Sequence, residues 1–247
     1  MIDDPKRVIL FDLDGTLCYY EIDIDKAFVL ASQKAGLEAP PFEPEEYYEQ
    51  YRKEFERALD PDYTSENHDL SFRARVLAKL NEKTKAFPDS KLLNFAEAYT
   101  EIRERALHLY SDARSTVNLL RENFSVGLLT NGPSEVQWRK IDLLEIKTWF
   151  DNIVVSGDVG ISKPDSKIFS YTLKEFEAET NEAIYVGNSL RHDIQGANNA
   201  DIQSIWKRED GANIEESDPQ PTYTIERLDE LPSLLNLNTT IQSQHLT

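Results

Sequence analysis

The segment Val8-Ile9-Leu10-Phe11-Asp12-Leu13-Asp14-Gly15-Thr16 opens with four apolar residues and closes on two acids, a glycine and a hydroxyl. A short run of this kind, rich in β-branched and aromatic side chains, reads as a buried strand. Alternate side chains share a face at a strand end, so Asp12 and Asp14 can address one ligand while Leu13 turns into the protein. Gly15 then permits a sharp exit. Two carboxylates this close repel unless a cation sits between them or one keeps its proton, and either arrangement is chemically useful.

Similar runs recur at Val126-Gly127-Leu128-Leu129, Ile153-Val154-Val155, Ile184-Tyr185-Val186 and Ser204-Ile205-Trp206. Most are followed by a polar or glycine turn and a segment of helical spacing: Ser134 to Leu144, Asp165 to Phe176, Ser189 to Ala200. Strand, turn and helix in repetition predict an α/β chain with a parallel sheet flanked by helices. The long stretch between the first two strands has apolar residues at three- and four-residue spacing. It predicts helices over Asp23 to Ala35, Pro44 to Leu59, Leu70 to Lys85 and Asp89 to Leu109, stopped by prolines at 40–41, 61 and 88, with Ser111 to Asn123 as a further core helix. The expected organisation is a catalytic core of residues 1–18 and 110–235, a helical cap of residues 19–109 suited to a lid, and a polar, frayed tail of residues 236–247.

In open parallel sheets, ligands bind beyond the carboxyl ends of the strands. The residues found there form a consistent set: Asp12 and Asp14, then Thr130-Asn131-Gly132-Pro133, then Lys163-Pro164, then Gly187-Asn188-Ser189 with Asp193 following. Acids, a hydroxyl and an ammonium would face one point.

Composition narrows the partners. Lys+Arg number 27 and Asp+Glu 45, a net charge of −18, which repels phosphate backbones and anionic membranes, and no local basic patch offsets it. Nucleic acid and membrane are therefore not expected partners. The acidity suits a high-salt habitat, where screening relieves self-repulsion, and equally an ordinary cytosolic protein, since Lys (14) and Arg (13) are balanced. Cys18, the single cysteine, excludes an intramolecular disulfide, and four histidines supply no zinc-ligand spacing. No apolar run reaches the ~18–20 residues of a membrane span, and the first residues lack a signal-peptide core, so a cytoplasmic location is expected, as a monomer or homodimer.

With these motifs the chain resembles the haloacid dehalogenase superfamily, in which Asp-x-Asp-Gly-Thr after the first strand marks the phosphatase branch. The resemblance covers about residues 6–230, with its signatures between Asp12 and Asp193 and the insertion where members with a helical cap carry theirs. It implies a Rossmann-like core and a Mg²⁺-dependent phosphatase acting on a small phosphorylated metabolite: a nucleotide, a sugar phosphate or a glycolate-like acid. It further implies Asp12 as the nucleophile that forms an aspartyl-phosphate, Asp14 as general acid/base, Thr130 and Asn131 as phosphoryl contacts, and Lys163 as the offsetting charge. The implied Mg²⁺ ligands are Asp12, the Asp14 carbonyl and a fourth-motif residue.

The sequence departs from the family at that last position. The usual Gly-Asp is Gly187-Asn188 here, so one negative charge is lost unless Asp193 compensates. Asparagine in this neighbourhood also resembles the metal-independent dehalogenase branch, which lacks an acid at the position of Asp14. A catalytically weak binding relative is the third reading.

Other residues read more plainly. Trp138, Trp149 and Trp206 are expected in the core, Cys18 as a packing residue, and His192 and Arg191 at the surface. Tyr47, Tyr48 and Tyr51, at helical spacing, are expected to pack. Tyr19, Tyr20, His68, Arg73 and Arg75 are the cap candidates for substrate contact.

Overall fold

A computed structural model describes residues 7–60, 63, 69–209 and 211–237, with residues 83 and 84 described in their backbone alone. His68 and residues 238–247 of the expected tail lie outside the described residues.

The elements run β1 (Val8–Phe11), β2 (Cys18–Tyr20), α1 (Ile24–Lys34), α2 (Pro44–Ala58), α3 (Phe72–Thr84), α4 (Asp89–Arg105), β3 (Leu107–Leu109), α5 (Ala113–Arg121), β4 (Ser125–Thr130), α6 (Ser134–Leu143), β5 (Asn152–Val155), α7 (Ser156–Val159), α8 (Ser166–Lys174), β6 (Ala183–Gly187), α9 (Gln195–Asn199), β7 (Gln203–Lys207), β8 (Tyr223–Ile225) and α10 (Leu231–Leu234). Six strands form a parallel sheet in the order β5-β4-β1-β6-β7-β8. β1 therefore sits between β4 and β6, and the strand ends bearing the three other motif groups surround its own.

Every residue of β1 is buried because both faces of the sheet are covered. Ile9 and Phe11 join Val126, Leu128, Ile184, Val186 and Ile205 in the core on one face. Val8 and Leu10 join Leu129, Val154, Ala183 and Tyr185 on the other. The four helices α1 to α4 carry a third apolar cluster of their own, centred on Phe28, Tyr47, Phe72, Phe95 and Tyr99. Side-chain caps start two of these helices: Asp23 accepts from the Lys26 N–H at 2.7 Å and Ser71 from the Ala74 N–H at 3.3 Å. Among the described residues no helix is long and apolar enough to cross a membrane.

Three details differ from the sequence reading. The helix expected to reach Leu109 stops at Arg105, because Leu107–Leu109 pairs antiparallel with Cys18–Tyr20 in a two-stranded ribbon. Long-range pairing outweighs local helical spacing there. The helix expected from Ser189 begins as a widened turn over Leu190–Ile194 before α9, since the Asp193 carboxylate folds back to accept the Ser189 N–H at 2.8 Å. The short edge strand β8 is too brief to carry a periodic signal.

Candidate active site

The floor of the site is built at the end of β1. Asp12 is buried, and its Oδ1 accepts from Lys163 Nζ at 2.7 Å. The same ammonium donates to Asp193 Oδ1 at 2.7 Å and to the Leu129 carbonyl at 3.1 Å, and it lies 2.6 Å from the Tyr185 hydroxyl. Lys163 is thus an enclosed cation shared by two carboxylates. Burial pushes the Asp12 carboxyl up to about 7; Lys163 opposes this and the like charge of Asp193 adds to it. Lys163 itself remains charged: burial disfavours the ammonium, but Asp12 and Asp193 together raise its pKa. Asp193 accepts from Lys163 and Tyr185 on one oxygen and from the Ser189 N–H on the other. Both of its oxygens are engaged by protein donors, and its effect is to hold Lys163 in place.

Asp14, half-buried at the mouth, has a cation of its own. Lys140 Nζ donates to both carboxylate oxygens at 2.8 and 2.7 Å, and Gln137 Nε2 donates to Oδ2 at 3.1 Å. Burial would raise the Asp14 carboxyl, but Lys140 and Gln137 hold it below the ordinary range. The sequence reading missed both partners. The available signal was their three-residue spacing on the helix that follows Thr130-Asn131-Gly132, which puts both on one face.

Thr130 ends β4 one residue behind the cavity wall; it is buried, and its hydroxyl has no hydrogen-bond partner among the described residues. Asn131 ties two strand ends together: its Nδ2 donates to the Lys163 carbonyl and its Oδ1 accepts the Lys163 N–H, both at 2.9 Å. Asn188 lies against Gly15. At Gly15, whose φ is +79°, an added Cβ would come within 2.1 Å of Asn188 Nδ2, so backbone and space both call for glycine. Asn188 Nδ2 reaches Glu209 at 3.5 Å, and its amide oxygen accepts no hydrogen bond among the described residues.

Above this floor is a cavity of about 450 Å³. Asp12, Asp14, Asn131, Lys163, Asn188 and Asp193 line its lower part. Its upper part is formed by side chains of β2 and of helices α2 to α4. Tyr20 and Arg73 reach it as expected, whereas Tyr19 packs on His108 and Tyr110, and Arg75 turns to the Leu70 carbonyl. Tyr47, Tyr48 and Tyr51 correct the packing expectation: they pack against one another and also line the cavity. The Tyr47 hydroxyl is buried without a partner among the described residues. His192 is exposed as expected but stands at the cavity edge, with Ser189 Oγ 3.2 Å from its Nδ1. Trp138 is only partly buried, its Nε1 donating to Asp158 at 2.8 Å. Trp149 and Trp206 are core residues, and Cys18 is buried.

A family model for haloacid dehalogenase-like hydrolases matches residues 6–201. The chain belongs to this family. This haloacid dehalogenase-like hydrolase is 32% identical over 235 residues to the glyceraldehyde 3-phosphate phosphatase of Methanopyrus kandleri, covering 91% of this chain and 95% of that one. It is 28% identical over 242 residues to the N-acylneuraminate-9-phosphatase of Rattus norvegicus, covering 93% of each. Among solved structures, YfnB from Bacillus subtilis, bound to magnesium, superposes with a TM-score of 0.63 at 25% identity, covering 94% of this chain and all of that one. A 2-haloacid dehalogenase from Pseudomonas syringae superposes with a TM-score of 0.66 at 23% identity over 94% and 98% of the two chains, a likeness of fold alone. With its named relatives and its Asp-x-Asp pair, this hydrolase belongs to the phosphatase branch of the superfamily.

Proposed function

We propose that the protein hydrolyses a small phosphate monoester through a phosphorylated Asp12. The observation that carries the proposal is that Asp12 and Asp14 face one cavity, each with its own ammonium group, so the two acids can do different work. Asp12, steered by Lys163, attacks phosphorus in line. Asp14 protonates the departing oxygen, then takes a proton from the water that hydrolyses the acyl phosphate. Asp14 enters the turnover protonated, and Lys140 stabilises the carboxylate left once that proton has gone to the departing oxygen, the form the second step needs. Lys163 offsets the charge that Asp12 shares with the phosphoryl group, and a dehalogenase would need no acid at position 14. Glyceraldehyde 3-phosphate and N-acylneuraminate 9-phosphate, the substrates named for the relatives, support a small phosphorylated metabolite.

The donors fit Mg²⁺. Among the described residues no group of three or more His, Cys, Asp or Glu is arranged to hold a metal. The implied ligands, the Asp12 carboxylate, the Asp14 carbonyl and the Asn188 amide oxygen, come from three residues that line the floor and are a hard set of few ligands suited to an ion that retains several waters. When bound, Mg²⁺ would neutralise charge on the transferring phosphoryl group. The test is phosphate release from para-nitrophenyl phosphate with Mg²⁺ or chelator, in the wild type and in Asp12→Asn. Mg²⁺-dependent release that vanishes in the variant is expected; release from neither this compound nor a panel of metabolite phosphates, with halide release from a 2-haloacid, would replace the reading.

A further inference from the structure

The upper wall of the cavity differs in charge from the rest of the molecule. In a chain of net charge −18, the wall contributed by residues 20–103 presents Arg52, Arg73 and Arg103 and no acidic residue among the described ones. The acids that line the cavity are Asp12, Asp14 and Asp193 on the floor, where Lys163 and Lys140 already pair with them.

Arg103 is committed within the protein: it donates to the Ile22 carbonyl at 2.9 Å, and its guanidinium stands 3.4 Å from the centre of the Tyr20 ring. Arg73 is not. Among the described residues it has neither a carboxylate partner nor a hydrogen bond; its guanidinium stands 5.5 Å from the centre of the Tyr99 ring. A second group on this wall also lacks a partner among the described residues, the hydroxyl of Tyr47, a residue 1% exposed. Buried polar groups and charges ordinarily have partners. Arg73 and Tyr47 both line the cavity, and a cation and a phenol without hydrogen-bond partners among the described residues match an anion that enters it.

The geometry points to a substrate whose leaving group carries a second anionic group, a carboxylate or a further phosphate, received by Arg73 with Tyr47 while the scissile phosphate sits on the floor. This inference rests on the phosphatase reading and deepens it. It gives the two ends of the substrate separate cations, Lys163 below and Arg73 above, and so fixes which end is cleaved. A planar guanidinium binds a carboxylate or phosphate through two donors, which favours such a group over a hydroxyl of similar size.

The experiment compares matched phosphate monoesters with one to four carbons in the leaving group, each as the ω-carboxylate, the ω-phosphate and the neutral alcohol, with para-nitrophenyl phosphate and cytidine monophosphate alongside. At the best chain length, kcat/KM for one of the doubly anionic esters should exceed that of the alcohol by about 10- to 100-fold. Whether carboxylate or phosphate leads names the group. Arg73→Gln should remove that preference by raising KM for the anionic ester, and Arg73→Lys should recover part of it. Equal or better turnover of the alcohols at every length in the wild type, or of cytidine monophosphate over all of them, overturns the inference and leaves the phosphatase reading standing. Failure of every ester, para-nitrophenyl phosphate included, overturns the phosphatase reading itself.

Discussion

Lys140 and Asp14, 126 residues apart in the chain, meet in a two-point ion pair at 2.7 and 2.8 Å. The pair joins the first strand to the helix after the second motif, and it sets the charge of the group proposed to move protons.

Replacing Lys140 by Met removes the cation while leaving the burial that pushes the carboxyl up, so the Asp14 pKa should rise. Carbon-13 NMR titration of the Asp14 carboxyl in the metal-free protein would show it. The rate should fall about 10- to 100-fold, with the alkaline limb of the kcat/KM profile, set by the acid Asp14, moved to higher pH. Lys140→Arg should restore both in part.

Asp12→Asn should lower turnover about a thousandfold or more, measured as phosphate release. It should also stabilise the metal-free protein at high pH. Because burial raises the folded pKa of Asp12 to about 7, its contribution to stability is present below the unfolded value of about 3.9 and is lost as pH rises through the folded one. Asparagine imitates the neutral form. The variant should therefore melt above the wild type at pH 8 and draw level near pH 4.

Asp193→Asn removes a like charge near Asp12 and leaves Lys163 more fully to it. Both changes act in one direction, and the Asp12 carboxyl should titrate lower than in the wild type. An unchanged titration would mean that Asp193 serves only to shape the turn after β6.

Asn188→Asp returns a negative charge beside the proposed metal. The Mg²⁺ concentration for half-maximal rate should fall about tenfold. No change would place residue 188 outside the coordination sphere.

Cys18 is 0% exposed, and burial, helped by the negative charge of Asp14, pushes its thiol well above the usual range. Iodoacetamide should therefore leave the folded protein unlabelled at pH 8 and react promptly in denaturant, followed by mass spectrometry.

The sheet was legible in the sequence because β1, β4, β5 and β6 are covered on both faces, so their residues form apolar runs that no exposed segment imitates. The floor was legible for a related reason: strand ends converge, Asp12, Asn131 and Asn188 each follow one directly, and Lys163 comes after β5 beyond the short α7. Gln137 and Lys140 were not: their spacing puts them on one face of α6, but nothing in a one-dimensional pattern says that this face meets Asp14. The tyrosines were misread because packing and lining are not exclusive. Tyr47 packs its ring on Phe28 and Tyr99 and also lines the cavity, and spacing alone reports the packing. The ribbon of Cys18–Tyr20 and Leu107–Leu109 escaped because three residues are too few for a period to register.

The apolar cluster of α1 to α4 shares no buried member with the two clusters around the sheet, and its peripheral contact with α6 is Val136. Substitutions among Tyr47, Arg73 or their neighbours can thus accumulate without disturbing the interior that aligns Asp12 and Lys163. With the proposed roles, such a partition would let the half that meets the leaving group change while the half that holds the reacting groups keeps its packing.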